Sequence, residues 1–222
     1  MKFTDEARRR VDPVWEACHE HPFVKGIGDG SLDMEKFKYW VRQDYVYLQD
    51  YSRVFALGAA KADDLDTMST FARLLDGTLN IEMDLHRKYA GKFGISEEEL
   101  EKEAPSPTTQ AYTDFLVTSS YSGDLAELSA ALLPCTWGFN EIGLRLKEVG
   151  DTSDKNPYND WIGMYSSKEF GEFKDWTCTL MDRVAEGCSP EKRERLLEIF
   201  LTSSKYEYLF WEMAYTMEEW PV

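Results

Sequence analysis

The chain has 222 residues, of which 43% are hydrophobic and 14% aromatic, a composition that provides a buried core and excludes an intrinsically disordered chain. Its 41 acidic and 25 basic residues give a formal net charge of −16. Such a surface repels phosphate backbones and anionic lipid, so we expect neither nucleic acid nor a membrane as a partner.

The beginning of the sequence and its cysteines favour a cytoplasmic protein. The first six residues contain no apolar signal-peptide core, and no apolar run has the length that a bilayer demands. The four cysteines show no C-x-x-C pairing; they are Cys18, Cys135, Cys178 and Cys188. Without a secretory signal, we expect these residues to be free thiols in a reducing compartment.

Helical periodicity dominates the first half of the chain, and alternating strand patterns are absent. A first helix is predicted over residues 5–20, ending before His21-Pro22. A glycine-rich turn is predicted over residues 26–31, after which Asp33 is the expected N-cap of a long second helix. A third helical stretch is predicted over residues 63–93.

The second half is predicted to add helices over residues 109–121, 158–164 and 169–187. Asp124 and Glu127 form a D-x-x-E capping pair for another helix, and Ser189-Pro190 is a favourable start for the last one, which runs to about residue 218. The sum is an all-α protein, a compact bundle of about eight helices forming a single domain over residues 1–222.

Two carboxylates fall on otherwise apolar helix faces. Asp44 shares a stripe at helical spacing with Val41 and Leu48, and Glu207 shares one with Phe210. Few basic side chains lie on apolar faces, whereas hydroxyl donors are available from Tyr47, Tyr112 and Tyr165. A carboxylate among tyrosines without a cation has a raised pKa and suits proton transfer. A structural role, as the partner of an arginine or as a cap, stays open for both acids.

Cys135 directly follows Pro134, which lies well inside a predicted helix. Proline there removes a backbone hydrogen bond and kinks the helix, at a cost of roughly 3 kcal/mol. A kink frees backbone groups and opens space beside a nucleophile. Most buried cysteines are nonetheless small hydrophobic residues of the core, and that interpretation stays open.

Metal and hydrolase signatures are weak. The chain has three histidines, one E-x-x-H at Glu16 to His19 and one E-x-x-x-H at Glu82 to His86. A di-iron bundle needs two E-x-x-H motifs and two further glutamates, so we expect no metal site and no cofactor. His86 is interpreted as a surface or hydrogen-bonded core histidine, and no G-x-S-x-G supports a serine hydrolase.

Taken together, several motifs resemble the TenA, or thiaminase II, family. They run in the same order along almost the whole chain and are His21-Pro22-Phe23-Val24, Gly26-Ile27-Gly28-Asp29-Gly30, Phe37-Lys38-Tyr39, Gln43-Asp44, Glu82-Met83-Asp84-Leu85-His86, Pro105-Ser106-Pro107-Thr108, Ala130-Ala131-Leu132-Leu133-Pro134-Cys135, Ser203-Ser204-Lys205-Tyr206-Glu207-Tyr208 and Phe210-Trp211. The resemblance implies a haem-oxygenase-like helical fold and a homotetramer. It also implies hydrolysis of 4-amino-5-aminomethyl-2-methylpyrimidine and of thiamine to the hydroxymethylpyrimidine.

In that family a cysteine thiolate adds to the pyrimidine ring, the leaving group departs from the exocyclic methylene and water replaces it. The resemblance therefore implies Cys135 as the nucleophile and Glu207 as the group that moves protons. It implies that Tyr47 tunes the thiol.

For substrate binding, the resemblance implies that Asp44 holds the aminopyrimidine edge, that Phe139 stacks on the ring, and that Tyr112 and Tyr165 complete the polar lining. Members of the family often carry tyrosine at the positions of Thr136 and Phe139 and an aromatic residue at that of Asn140. These departures affect substrate preference rather than the chemistry itself, on this interpretation.

Two alternatives from other functional classes remain at this point. One is a haem-oxygenase-like oxidase that uses two metal ions or another cofactor. The other is a protein that binds a pyrimidine or regulates a partner without catalysis.

Overall fold

The computed structural model describes the backbone of residues 1–222 and every side chain except those of Ile81 and Leu85. Its backbone forms eleven α-helices and one π-helical segment, with no strand in the described chain. The helices are α1 (Phe3–Glu20), α2 (Pro22–Asp29), α3 (Met34–Lys61), α4 (Leu65–Gly77), α5 (Met83–Lys92), α6 (Glu97–Lys102), α7 (Pro107–Ser122), α8 (Leu125–Val149), α9 (Asn159–Tyr165), α10 (Lys168–Val184) and α11 (Pro190–Thr216), with the π segment at Thr78–Glu82.

The helix starts predicted from capping residues are confirmed. Asp33 accepts a hydrogen bond from the backbone of Glu35 at 2.8 Å, and Ser189 caps α11 through Lys192 N at 3.2 Å. Asp124 and Glu127 form a reciprocal capping box at the start of α8.

The glycine-rich turn predicted at residues 26–31 is wrong, because α2 runs through most of it. His21 ends α1 as expected. Its Nδ1 then caps α2 by accepting a hydrogen bond from the backbone N–H of Phe23 at 3.1 Å, and Pro22 is the first residue of that helix. Gly28 permits close packing, since a Cβ there would lie 2.8 Å from Leu146 Cδ2. The helix stops at Gly30, whose φ of 76° favours glycine.

The single helix predicted over residues 63–93 is interrupted. Between α4 and α5 the chain adopts the π segment Thr78–Glu82, where one extra residue enters the turn and redirects the side chains that follow. The break between α4 and α5 at the π segment adds one helix to the predicted number, and the short helices α2 and α6 add two more. The chain therefore has eleven α-helices instead of about eight.

Helix α8 is buried on two sides and packs against α7, α9, α10 and α11. Leu132 belongs to the main core, which also contains Trp40 and Trp211 stacked at 6.4 Å. The adjacent Leu133 belongs to a second core, formed by α1, α10 and α11 with the N-terminal half of α8. The helix continues through Pro134 without interruption. Residues that follow Pro134 are therefore held from several directions.

None of the helices in the described part of the chain combines the length and apolar character needed to cross a membrane. All four cysteines are free thiols.

Candidate active site

A cavity of about 360 Å3 lies between α3, α4, the π segment, α8 and the α9–α10 corner. Its volume is in the range of small-molecule sites, and aromatic side chains form much of its wall. The lining residues are Asp44, Tyr47, Leu48, Tyr51, Phe55, Arg73, Leu74, Gly77, Thr78, Glu82, Cys135, Phe139, Met164, Tyr165, Ser167, Glu169, Phe170 and Phe173.

Cys135 presents its thiol to this cavity from the middle of α8 and is half-buried. Burial raises the pKa of the Cys135 thiol well above its ordinary value, and the charge of Glu207 raises it further. The hydroxyl of Tyr47 lies close enough to favour the thiolate, yet it makes no well-formed hydrogen bond with any described group. The resting thiol is thus protonated, with a free hydroxyl donor beside it.

Glu207, on α11, lies behind Cys135 and is 6% exposed. Tyr112 donates a hydrogen bond to its carboxyl and contacts Ser203 Oγ at 3.2 Å. Burial raises the pKa of Glu207 to about 8, and the charge of Asp44 also raises it, while Tyr112 and Cys135 act in the opposite direction. A pKa in this range lets the carboxyl accept or donate a proton at neutral pH.

Asp44, on α3, also lines the cavity and is paired with a histidine. Its Oδ2 is 2.6 Å from His86 Nε2, while His86 Nδ1 is 3.1 Å from the carbonyl of Glu82. Burial lowers the pKa of His86, but the hydrogen bond and charge of Asp44 outweigh it and the net pKa is raised. The prediction of a carboxylate without a cation is therefore wrong for Asp44, because α5 brings a histidine to it. His86 itself is the hydrogen-bonded core residue that one interpretation foresaw.

Glu82 is a third acid on the cavity wall, carried by the π segment. Thr78 donates to its Oε2 at 3.2 Å. Burial raises the pKa of Glu82; His86 lowers it and the charge of Asp44 raises it. In the sequence, Glu82 belongs to a weak metal motif and to one of the family motifs, but neither motif assigned the residue a role in the site or predicted its place beside Asp44.

The aromatic wall is built by Phe139 and Tyr165, whose ring centroids are 4.8 Å apart. Asn140 donates from Nδ2 to the carbonyl of Tyr165 at 2.9 Å and fixes the end of α9 against α8. Thr136 contacts the hydroxyl of Tyr51 at 3.1 Å. The three positions that depart from the family pattern thus lie in the aromatic wall of the cavity or contact its residues.

Five of the seven predicted site residues line one cavity: Asp44, Tyr47, Cys135, Phe139 and Tyr165. Glu207 and Tyr112 do not line this cavity and lie behind the thiol. Tyr112 contacts Glu207 and is not part of the cavity wall. Their individual roles stay predictions. Among the described residues, no group of three or more His, Cys, Asp or Glu side chains is arranged to hold a metal ion.

A family model described as the TENA/THI-4/PQQC family matches residues 8–217. The chain belongs to this family. An aminopyrimidine aminohydrolase of Halalkalibacterium halodurans is 50% identical, with 99% of this chain and 98% of that protein covered. An aminopyrimidine aminohydrolase of Bacillus subtilis is 42% identical, with 99% and 92% covered. The resemblance to TenA is confirmed.

Solved structures agree with this membership. A structure described as a TenA family transcription regulator, from Silicibacter sp. TM1040, superposes with a TM-score of 0.90 at 34% identity and covers 97% of each chain. A domain from Shewanella denitrificans, described as having a heme oxygenase-like fold, superposes with a TM-score of 0.75 at 15% identity, covering 96% of this chain and 92% of that one. The predicted all-α, haem-oxygenase-like fold is confirmed.

Proposed function

We propose that this member of the family is an aminopyrimidine aminohydrolase of thiamine salvage. Its substrate is 4-amino-5-aminomethyl-2-methylpyrimidine, which it converts to the hydroxymethylpyrimidine and ammonia. The observation that carries the proposal is an aromatic cavity lined by the Cys135 thiol and by the Asp44 carboxylate, which His86 anchors, with the Glu207 carboxyl directly behind the thiol. The names of the Halalkalibacterium and Bacillus relatives support it.

The aminopyrimidine ring lies against Phe139, with its polar edge toward Asp44. The second oxygen of Asp44, Oδ1, accepts from the exocyclic 4-amino group, since Oδ2 is held by His86. That bond is charge-assisted and orients the ring. His86 fixes the carboxylate, and Tyr165 closes the aromatic wall.

Catalysis begins when the thiol of Cys135 passes its proton to the carboxylate of Glu207 and the sulfur adds to a ring carbon. The ring electrons then expel the amine from the exocyclic methylene, and Glu207 returns the proton to the departing nitrogen. Water adds to the methylene and loses a proton to Glu207. The C–S bond breaks, the ring becomes aromatic again, and the thiol is re-formed. The Tyr47 hydroxyl donates to the sulfur while it carries negative charge.

The same chemistry extends to thiamine, where the thiazole nitrogen is the leaving group. The open end of the cavity carries the larger apolar side chains Phe170 and Phe173, both half-buried, which accommodate a second ring. We further propose that the enzyme acts in the cytoplasm as a homotetramer, in keeping with its free thiols and its family.

The test is ammonia release from the aminomethylpyrimidine by the wild-type protein and by Cys135→Ser. We expect the variant to lose at least about 10³-fold in kcat, because serine is a much weaker nucleophile, and to keep its affinity for the substrate. Cys178→Ser is the matched control, since Cys178 lies on α10 outside the cavity lining, and it keeps full activity.

The other outcomes change either the mechanism or the function. Equal ammonia release by Cys135→Ser keeps the reaction and removes the thiol mechanism. Binding of the pyrimidine without any turnover by the wild type indicates a binding or regulatory protein. Turnover that tracks with stoichiometric bound metal indicates an oxidase.

A further inference from the structure

A second, much smaller cavity lies on the other side of Glu207 from the thiol. It measures about 10 Å3, which is about the space one water molecule occupies. Its polar lining is Glu207, His19 and Cys18, and the rest of the wall includes Trp15, Phe139 and Trp211. Phe139 lines both cavities and separates this one from the substrate site.

His19 lines this small cavity and has one unsatisfied ring nitrogen. The residue is 6% exposed, and its Nδ1 is buried without a hydrogen-bond partner among the described residues. A buried unpartnered ring nitrogen costs free energy unless a water or ligand satisfies it. The polar groups required to hold one water are therefore present, since such a molecule needs two or more partners.

The other nitrogen of His19 leads to the surface. Nε2 lies 3.1 Å from Oε1 of Glu141, whose side chain is 30% exposed and is also bound by Arg8. Burial raises the pKa of Glu141, but the hydrogen bonds from His19 and Arg8 outweigh it and the net pKa is lowered. A carboxylate at Glu141 accepts from Nε2–H, which leaves Nδ1 as the acceptor.

We propose that His19 is a proton-relay residue that connects Glu207 with solvent through one water in this cavity and through Glu141. In the outward direction Glu207 gives its proton to the water, and the water gives one of its own protons to Nδ1. Nε2 then passes its proton to the Glu141 carboxylate, and from there it reaches bulk water. The reverse sequence loads Glu207. Because the relay leaves from the rear, Glu207 can exchange its proton while substrate or product fills the front cavity.

This inference rests on the proposed function, in which Glu207 takes up and gives up a proton twice in each turnover. The groups that face His19 are Glu141 with Arg8, Glu207 across the cavity, and Cys18 and Glu20 on its own helix. Cys18 does not relay at neutral pH, since burial raises the pKa of its thiol to about 12.

The kinetic test compares His19→Gln and Glu141→Gln with Glu212→Gln. Glu212 makes a matching pair with His21 at 3.0 Å, away from both cavities, so its variant is the control. We expect the first two variants to lower kcat about tenfold or more with KM unchanged and to enlarge the solvent deuterium isotope effect on kcat. Glutamine at position 19 retains a donor for Glu141. If His19 had only a structural role, His19→Gln would therefore change kcat and the isotope effect little.

A spectroscopic test does not depend on turnover. The chain has only three histidines, so their ring nitrogens can be resolved after labelling with 15N-histidine. We expect Glu207→Gln to shift the Nδ1 resonance of His19 and to leave His21 unchanged. An unaffected His19 in this spectrum, or a normal isotope effect in His19→Gln, overturns the relay. Wild-type protein that releases no ammonia overturns the proposed function instead, and the spectrum then still decides whether His19 and Glu207 are connected.

Discussion

At the scale of single residues, the fold changes the ionisation of Glu207 within the neutral pH range. Its carboxyl is buried near a thiol, a tyrosine and a second carboxylate, and its pKa is raised to about 8 from an ordinary 4.5. The folded state therefore binds a proton more tightly than the unfolded state does. The stability contributed by this protonated group is complete below pH 4.5 and is lost as the pH rises through 8.

Glu207→Gln should remove that loss. Glutamine has a similar shape and does not ionise, so the variant gains stability relative to the wild type between pH 4.5 and 8. The gain has an upper limit of roughly 3–5 kcal/mol, since each pKa unit corresponds to about 1.4 kcal/mol. Urea unfolding at several pH values measures the difference. Glu101→Gln, at an exposed position of α6, serves as the control, and a wild-type to Glu207→Gln difference that does not vary with pH contradicts the raised pKa.

At the scale of helices, the approach of α8 to the end of α9 sets the position of Tyr165. A Cβ at Gly143 would lie 2.6 Å from the carbonyl carbon of Tyr165, a backbone atom that cannot move without moving α9. Gly171 in α10 offers the opposite case, with no neighbouring atom within 4 Å of its Cβ position. Substitutions at these two positions therefore distinguish the effect of close packing on stability from the effect of helix propensity.

Gly143→Ala is therefore expected to destabilise the protein by about 1–3 kcal/mol through overpacking. Gly171→Ala is expected to stabilise it by up to about 1 kcal/mol, because alanine favours the helix. Because the first change also displaces Tyr165, we expect it to raise KM for the pyrimidine, with no such effect at Gly171. Urea unfolding and steady-state kinetics measure both, and equal stability of the two variants argues against the close approach.

The sequence predicts well those elements whose sequence signals lie within a few residues of each other. Asp33, Asp124 and Ser189 mark helix starts because a capping side chain contacts amides two or three residues away. The π segment at Thr78–Glu82 has no comparable local signature, since an inserted residue keeps helical periodicity nearly intact. Helix α2 was missed because glycines that normally indicate a turn here permit close packing instead.

The residues of the candidate site also divide into those with a local sequence signal and those without one. Asp44 and Glu207 were found because a polar residue on an apolar stripe is visible within one helix. The pairing of Asp44 with His86 spans 42 positions, and no pattern within either helix indicates it. Only the resemblance to the family assigns a role to Cys135, because a sequence alone does not distinguish a reactive cysteine from a cysteine that packs in the core.

At the scale of the whole molecule, the chain is expected to assemble with copies of itself. Several large apolar side chains are exposed on the single chain, among them Leu65, Tyr121 and Val149. Such side chains are available for contacts between copies in the proposed homotetramer. Light scattering is expected to give four times the chain mass of 25.7 kDa, and a mass of 25.7 kDa at micromolar concentration contradicts the homotetramer.

The burial of Cys135 also affects how the protein survives oxidising conditions. Peroxide and alkylating agents attack thiolates, and the surroundings of this sulfur disfavour the thiolate. We therefore expect the Cys135 thiol to react slowly with peroxide in the absence of substrate. In the proposed mechanism the sulfur carries negative charge only during turnover, so we expect peroxide to inactivate the protein faster while it hydrolyses a pyrimidine.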